Sequence, residues 1–154
     1  MLETHRTKMQ DRLNIVQIKI NEEMNRLNIN REKLTTAVKD GDIKESGDVE
    51  IGRNLVSMSE KQLHEISVIR NSIISFLKII DIDNPSKIRV GVSVTLHNLT
   101  TNVLYSFCVV PSILGDVENG FLSVKSPIGS LLVDLSKESI FEFANNSWKI
   151  IDIF

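Results

Sequence analysis

The chain has 154 residues and a formal net charge of -2, with 42% hydrophobic and 25% charged residues. This length suits one domain or two small ones, and the near-neutral charge excludes a strong overall field towards nucleic acid or membranes. The single cysteine, Cys108, excludes an intramolecular disulfide and is typical of a reducing compartment. Residues 1–6 show no signal-like apolar segment, and no apolar run is long enough to cross a membrane. We therefore expect a cytoplasmic protein without a membrane partner.

The two halves of the chain differ in composition. Residues 1–84 hold 27 of the 38 charged side chains, whereas every aromatic residue of the FWY set except Phe76 follows residue 85. A charged, aromatic-poor half followed by a charge-poor, aromatic-rich half indicates two architectures. We predict a helical domain over residues 1–82 and a β domain over residues 86–154.

A long helix is predicted from about residue 5 to residue 38, a stretch without Pro or Gly. At 1.5 Å per residue these roughly 34 residues would extend about 50 Å. Glu23 and Asn30 occupy two positions at which the apolar stripe should continue, and polar residues at such positions usually set the register of helix pairing. The predicted stripe consists of Leu13, Ile20, Leu27 and Leu34, thickened by Met9, Val16 and Met24.

A second helical pattern runs from about residue 46 to residue 80. Neither helix can bury its apolar stripe alone, and the connection around residues 40–42 is short. The simplest solution is an antiparallel coiled-coil hairpin. The predicted stripe of the second helix consists of Leu55, Met58, Gln62, Ile66, Ile69, Ile73, Phe76 and Ile80.

An acidic segment, residues 40–50, lies between the two helical patterns. Five carboxylates fall within these eleven residues with one lysine among them: Asp40, Asp42, Glu45, Asp48 and Glu50. Such a tip could hold a divalent metal ion or enter a basic channel of a partner, or it could be a solvated turn with helix caps. An EF-hand is excluded because Lys44 and Ile51 occupy ligand positions. His5, His64 and His97 are scattered and suggest no zinc site.

A β pattern begins after the break at residues 83–86. Apolar and polar residues alternate over 88–96, and further strands are predicted at 103–110, 121–124, 139–143 and 148–153. Residues 131–135 are predicted to form a short helix or turn. The whole is a small, mostly antiparallel β domain, in which Trp148 and the phenylalanines form the core and Cys108 is a buried structural thiol.

Three segments resemble one protein family. The segment Gly41-Asp42-Ile43-Lys44-Glu45-Ser46 resembles the Gly-Asp-Leu-Lys-Glu-Asn tip of the bacterial Gre transcript-cleavage factors, and Arg53 falls where those tips carry an arginine. Residues 122–132, which contain Ser126-Pro127-Ile128-Gly129, resemble the Ser-Pro-Ile-Gly/Ala signature of the same family. The last strand, ending at Ile153, is similar to the family's closing strand. The resemblance covers nearly the whole chain in the correct order.

The resemblance implies an α+β fold with an N-terminal coiled-coil hairpin and an FKBP-like antiparallel β domain. It implies that the protein is a monomer that binds bacterial RNA polymerase and passes its tip through the secondary channel towards the nascent RNA 3′ end. Asp42 and Glu45 would then help to hold a Mg²⁺ ion shared with the polymerase, which hydrolyses the backtracked RNA. In isolation the protein would bind no cofactor and would be an accessory factor, not an enzyme.

Other residues enter with smaller roles. Asp40 and Asp48 are expected to modulate the tip, and Arg53 either contacts polymerase or RNA or pairs with acids of the coil. Residues 126–129 are expected to form a turn that the fold requires, and also part of the surface that docks on polymerase.

The tip departs from the family pattern in one stretch, and two alternative functions stay open. Where family members continue Asn-Ala-Glu-Tyr, this chain has Ser46-Gly47-Asp48-Val49, so the aromatic is missing. One alternative is a secondary-channel regulator or inhibitor without cleavage activity. The other is a coiled-coil adaptor that binds an unrelated protein through its β domain.

Overall fold

The computed structural model describes residues 2–39, 46–80 and 85–154, and the side chains from residue 5 to residue 39 and from residue 47 onwards within these ranges. Two long helices precede a five-stranded sheet, which confirms the predicted α+β class. The elements are α1 Leu2–Lys39, α2 Ser46–Leu77, β1 Ser93–Asn98, β2 Val103–Val110, β3 Phe121–Ser123, α3 Pro127–Leu132, β4 Ile140–Phe143 and β5 Asn146–Ile153.

Contacts divide the chain into two compact units. The first, here the sheet unit, consists of the described residues of Met1–Arg12 and Ser72–Phe154. The second, the hairpin unit, is Leu13–Asn71. The first turns of α1 and the last turns of α2 thus pack with the sheet. The predicted domains, 1–82 and 86–154, follow the change of pattern along the sequence, and their bounds stay a prediction.

In the hairpin unit, α1 buries an alternating four-and-three spacing, which is the seam of a coiled coil. Val16, Ile20 and Leu27 are buried, and the seam includes the two polar positions that the sequence indicated: Glu23 is only 6% exposed and Asn30 is half-buried. Met24 was predicted to thicken the stripe, but this prediction is wrong, because its side chain is 49% exposed. Glu23, one position earlier, occupies the seam instead.

The seam of α2 differs from the prediction in its distal half. Leu55 and Met58 are 42% and 60% exposed, so their assignment to the stripe is wrong. A second four-and-three series, containing residues 49, 52, 56, 59 and 63, faces inwards, and within it Ser59 is buried. The physical reason lies on α1: the Asn30 amide needs a hydrogen-bond partner in the seam, and Ser59 provides one at 3.2 Å.

The sheet has the strand order β3-β2-β1-β5-β4. Three of the four strand pairs are antiparallel, which confirms the prediction of mostly antiparallel pairing, and β2 and β3 are parallel, so the sheet is mixed. One hydrophobic core cluster of the sheet unit has only aliphatic residues among its buried members. The buried members are Ile88, Val94, Leu96, Val109, Leu122, Leu132 and Ile150.

The first strand is shorter than predicted, because the predicted strand begins at residue 88 and β1 begins at Ser93. Gly91 interrupts the extended backbone with a φ of +95°, a conformation that residues with a Cβ rarely adopt. A Cβ on Gly91 would also lie 2.6 Å from the carbonyl oxygen of Ile79. The backbone therefore makes a tight turn before the strand starts.

The later elements agree with the sequence to within a few residues. Ala144 and Asn145 connect β4 to β5 with φ values of 52° and 60°, the left-handed pair expected for a two-residue hairpin turn. The short helix predicted near residues 131–135 begins earlier, at Pro127. No helix within the described ranges is long and apolar enough to span a membrane.

Candidate functional site

The acidic segment lies between the ends of α1 and α2. Three of its predicted site residues, Asp40, Asp42 and Glu45, fall outside the described residues, so their roles stay predictions. Asp48 lies in the first turn of α2 with an exposed side chain, where a carboxylate interacts favourably with the positive end of the helix dipole. An acid therefore follows directly on the connection between the helices.

Arg53 lies two turns into α2 with an exposed side chain. Among the ion pairs between described residues, none includes Arg53. Pairing of Arg53 with the described acids of the coil is therefore not observed, and its contact with polymerase or RNA stays a prediction.

The helices that flank the acidic segment are held in a fixed antiparallel register. Arg70 Nε donates to Gln17 Oε1 at 2.8 Å, and Arg31 and Glu60 form an ion pair at 2.7 Å. Nearer the acidic segment, a Cβ on Gly52 would lie 3.1 Å from Leu34 Cδ1, so the two helices approach closely there. The partner on α2 moves from residue 70 to residue 52 as the position on α1 advances from residue 17 to residue 34, as an antiparallel hairpin requires.

The second predicted site, residues 126–129, is the N-terminus of α3. The Ser126 hydroxyl caps the helix by accepting from the Gly129 amide at 3.1 Å and donates to the Ser123 carbonyl at 2.7 Å. Pro127 occupies the first helical turn, where its missing N–H has no cost. Every residue of the motif thus has a local structural reason.

Gly129 is the strictest member of this motif. It is buried, and a Cβ would lie 2.0 Å from the Ser123 carbonyl oxygen. Ile128 packs against the core cluster, whereas Pro127 is exposed. Residues 126–129 therefore form a turn that the fold requires, as the sequence predicted. Their docking role stays a prediction, and it would depend on the exposed part of the turn at Pro127.

A row of aromatic side chains crosses the sheet at the border of the core. Tyr105 lies 5.5 Å from Trp148 and 6.2 Å from Phe107, and Trp148 lies 6.5 Å from Phe141, measured between ring centroids. Tyr105 is 39% exposed, and the other three are partly buried against the core. The sequence analysis assigned Trp148 and the phenylalanines to the core. It did not predict that they form a row, because the row depends on the register of β1 with its two neighbouring strands.

A buried polar cluster in the sheet unit was not identified from the sequence. His5 Nδ1 lies 3.1 Å from Ser93 Oγ, and the imidazole lies 5.8 Å from the ring of Phe121. Burial, with a smaller contribution from Lys8, lowers the pKa of His5. Burial raises the pKa of Cys108 to about 11, although a hydrogen bond with Ser93 acts in the opposite direction. The cysteine is a buried protonated thiol, as the sequence predicted, and not a nucleophile.

Metal ligands do not cluster in the part of the chain that the structure describes. No group of three or more His, Cys, Asp or Glu side chains among residues 5–39, 47–80 and 85–154 is arranged to hold a metal ion. A Mg²⁺ ion at the tip would therefore need ligands from residues 40–45 or from a partner, and carboxylate oxygens are the donors that Mg²⁺ prefers.

Comparison with known proteins gives related sequences over most of the chain. The chain is similar to the transcription elongation factor GreA of Buchnera aphidicola subsp. Schizaphis graminum, with 28% identity over 128 residues, 79% of each chain. It is 26% identical to the GreA of Vibrio cholerae over 118 residues, 74% of each chain. It is 33% identical to the GreA of Acholeplasma laidlawii over 101 residues, 65% of this chain and 61% of that one.

Among solved structures, the chain is similar to GreA factor homolog 1 (Gfh1) of Thermus thermophilus. The two are 16% identical, with a TM-score of 0.41 over 92% of this chain and 94% of that one. No family model matches the chain.

Proposed function

We propose that the chain is a Gre-family transcription elongation factor, which its similarity to four GreA proteins supports, and that it stimulates cleavage of backtracked RNA by bacterial RNA polymerase. It binds the polymerase as a monomer and inserts its acidic tip into the secondary channel, where the tip reaches the nascent RNA 3′ end. The polymerase carries the nuclease activity, so the protein is an accessory factor and not an enzyme in its own right.

The observation that carries this proposal is the antiparallel hairpin with an acidic connection. Within the hairpin unit, residues 13–39 of α1 alone extend about 40 Å at 1.5 Å per residue. Contacts such as Arg31–Glu60 hold the helices in one register close to the acidic segment. A hairpin with a fixed register presents its end in one defined conformation, whereas two loosely paired helices would not.

The chemistry of the donor set fits a shared metal ion. Asp42 and Glu45 are carboxylates on one short connection, and Asp48 adds an exposed carboxylate at the start of α2. A Mg²⁺ ion bound between these acids and the polymerase would activate a water and neutralise charge on the scissile phosphate. Two ligands from this chain suffice, because Mg²⁺ keeps several waters and takes few protein ligands. The charges of Asp40, Asp48 and Arg53 would adjust the electrostatic potential around the Mg²⁺ ion.

Docking would involve the turn that starts α3. The capping bonds of Ser126 and the buried Gly129 give the turn one conformation, which leaves Pro127 exposed in a fixed place. A rigid, partly apolar turn loses little conformational entropy on binding, which favours its use as an interface.

A second candidate function is regulation of the polymerase without cleavage. The observation that favours it is Val49, which stands where family tips carry an aromatic. Val49 is half-buried and belongs to the inward-facing series of α2, so it is less available to contact a substrate. In this case the protein would occupy the secondary channel and compete with nucleotide entry.

A cleavage assay on stalled, backtracked elongation complexes tests the proposal. We expect wild-type protein to raise the yield of cleaved RNA, and Asp42→Asn or Glu45→Gln to lower the rate about 10- to 100-fold, as for other groups that support a metal site. Glu32→Gln, an exposed acid on α1, is the matched control and should retain full activity.

Binding to polymerase, measured by fluorescence anisotropy with labelled protein, completes the design. Unchanged affinity of the two tip variants assigns their defect to the tip chemistry. Wild-type binding without stimulation, together with a raised apparent KM for nucleotides, would replace cleavage by channel regulation. A wild-type protein that does not bind polymerase at all would instead support the adaptor alternative.

A further inference from the structure

A groove on the hairpin unit is lined by a buried carboxylate, and only one of the two carboxylate oxygens has a partner among the described residues. The groove has a volume of about 260 Å³ and is formed by both helices. Glu23 lines it, and its Oε2 pairs with Arg26 Nη1 at 3.0 Å. Its Oε1 is buried, and no donor among the described residues reaches it. The lining residues are Lys19, Glu22, Glu23, Arg26, Gln62, Glu65 and Ile66.

A buried acceptor without a donor lowers the stability of the folded state, so native structures usually satisfy such atoms. The Glu23 side chain is 8% exposed, whereas its partner Arg26 is 62% exposed. Arg26 therefore neutralises one oxygen from the outer side and leaves the other without a partner. The unsatisfied oxygen belongs to a side chain that lines the groove, which indicates a ligand that donates hydrogen bonds.

The charged residues that line the groove indicate whether that ligand is an anion or a cation. Three carboxylates, on Glu22, Glu23 and Glu65, stand against two cationic groups, on Lys19 and Arg26, so the lining carries one excess negative charge at neutral pH. Glu22 and Glu65 form no ion pair with any other described residue. Binding of an anion is therefore unfavourable, and a ligand with one positive charge would neutralise the excess negative charge of the groove lining.

The geometry also distinguishes a hydrogen-bonding cation from a metal ion. The side chains around Glu23 include no set of three ligands suited to a metal within the described part of the chain. Gln62 and Glu65 of α2 line the same groove as Glu23 of α1, and the side chains of all three carry oxygen acceptors. A primary ammonium group has three N–H donors, which matches one donor for each of these three acceptors. The volume leaves room for waters beside a small amine, since a water takes roughly 30 Å³.

We propose that this groove binds a small primary ammonium ion, held by Glu23 and bridging α1 to α2. This inference is independent of the proposed action on polymerase, because it rests on the hairpin unit alone. A ligand that bridges the helices stabilises the folded hairpin by mass action, so that at ten times its Kd the unfolding equilibrium constant falls about 11-fold.

The test is thermal unfolding of the full chain, followed by circular dichroism, in methylammonium chloride and in tetramethylammonium chloride at equal ionic strength. Both ions carry one positive charge, but the second has no N–H donor. We expect a saturable rise in Tm with methylammonium only. Glu23→Gln should abolish the rise, because it removes the charge while keeping the shape, and Glu32→Gln on the exposed face of α1 should retain it.

Saturation-transfer NMR between the protein and methylammonium keeps the test valid if Glu23→Gln changes stability by itself. Signal transfer in wild type and in Glu32→Gln, and its loss in Glu23→Gln, supports the site. Equal Tm rises with the two ions, or an undiminished response of Glu23→Gln, would overturn it. So would a wild type without response whose Lys19→Ala variant gains one, because Lys19 would then be the natural donor to Glu23.

Discussion

Asn30 on α1 donates from Nδ2 to the Oγ of Ser59 on α2 at 3.2 Å, inside the seam of the hairpin. Ser59 is only 3% exposed and Asn30 is half-buried, so the pair is a partly buried polar contact. Buried polar pairs at seam positions commonly select one register, because any slip leaves a donor or acceptor unsatisfied. The pair also explains why α2 turns the face of Ser59 inwards and leaves Leu55 and Met58 exposed.

Removing one partner of this pair should therefore weaken the hairpin. We expect Ser59→Ala to lower the free energy of unfolding by about 1–3 kcal/mol, because the half-buried amide of Asn30 loses its acceptor. Urea unfolding followed by circular dichroism measures the change. Ser57→Ala, on the exposed face two residues earlier, should change it by less than about 0.5 kcal/mol. Equal effects of the two variants would show that Ser59 contributes only through helix propensity.

Two glycine-to-alanine substitutions should have opposite effects. Gly129→Ala places a Cβ 2.0 Å from a backbone oxygen, so we expect the start of α3 to be displaced and the sheet unit to lose several kcal/mol. Gly47→Ala meets no atom within 4 Å and should stabilise α2 by up to about 1 kcal/mol, because alanine is the better helix former. Thermal unfolding measures both. A Gly129→Ala protein as stable as wild type would contradict the described turn.

The buried His5 predicts a pH dependence of stability. Because the pKa of His5 is lowered on folding, the unfolded chain binds more protons at this site between the folded pKa and the ordinary value of 6.5. Stability is therefore fully present above pH 6.5 and decreases as the pH falls below it. Urea unfolding at pH 7.5 and 5.5 should show this loss in wild type and a smaller loss in His5→Gln.

The groups around His5 are few, which makes its contribution separable. Ser93 and Phe121 contact the imidazole, and Lys8 is one of the charged groups that lower its pKa besides burial. His64, an exposed histidine of α2, provides the control. His64→Gln should leave the pH dependence as in wild type, and a matching reduction in both variants would place the effect elsewhere.

Cys108 should resist alkylation in the folded protein. With its pKa raised to about 11, its thiolate fraction at pH 7.5 is roughly a hundredfold below that of a thiol near the ordinary value of 9.0. The side chain is also fully buried. Iodoacetamide modification, measured by mass spectrometry, should therefore be slow in buffer and fast in urea above the unfolding midpoint. Rapid modification of native protein would show that the sheet opens locally around β2.

The sequence predicted most elements of the fold because their patterns are local. The four-and-three spacing of α1, the positive-φ turn at Ala144 and Asn145, and the length of β2 all depend on neighbouring residues only. The seam of α2 was misassigned because its inward series contains Gly52, Ser59 and Arg70, which read as surface residues. Their burial depends on Leu34, Asn30 and Gln17 of the opposite helix.

The functional residues divide in the same way. Asp42 and Glu45 followed from a resemblance, and Ser126 to Gly129 from a motif whose capping bonds the structure then displayed. Glu23 was noticed as a polar seam residue, but its groove depends on Gln62 and Glu65, which are distant in sequence. The His5–Ser93 contact joins residues 88 positions apart, and no local pattern indicates such a pair.

Gly91 has a consequence for the evolution of this chain. Its positive φ and the carbonyl of Ile79 leave no space for even a methyl group, so neither drift nor a mutational library is expected to retain another residue there. A substitution would act through the backbone path into β1 and not through any reaction. Position 91 should therefore be as invariant among related sequences as an acid of the tip, and its invariance would be no evidence of catalysis.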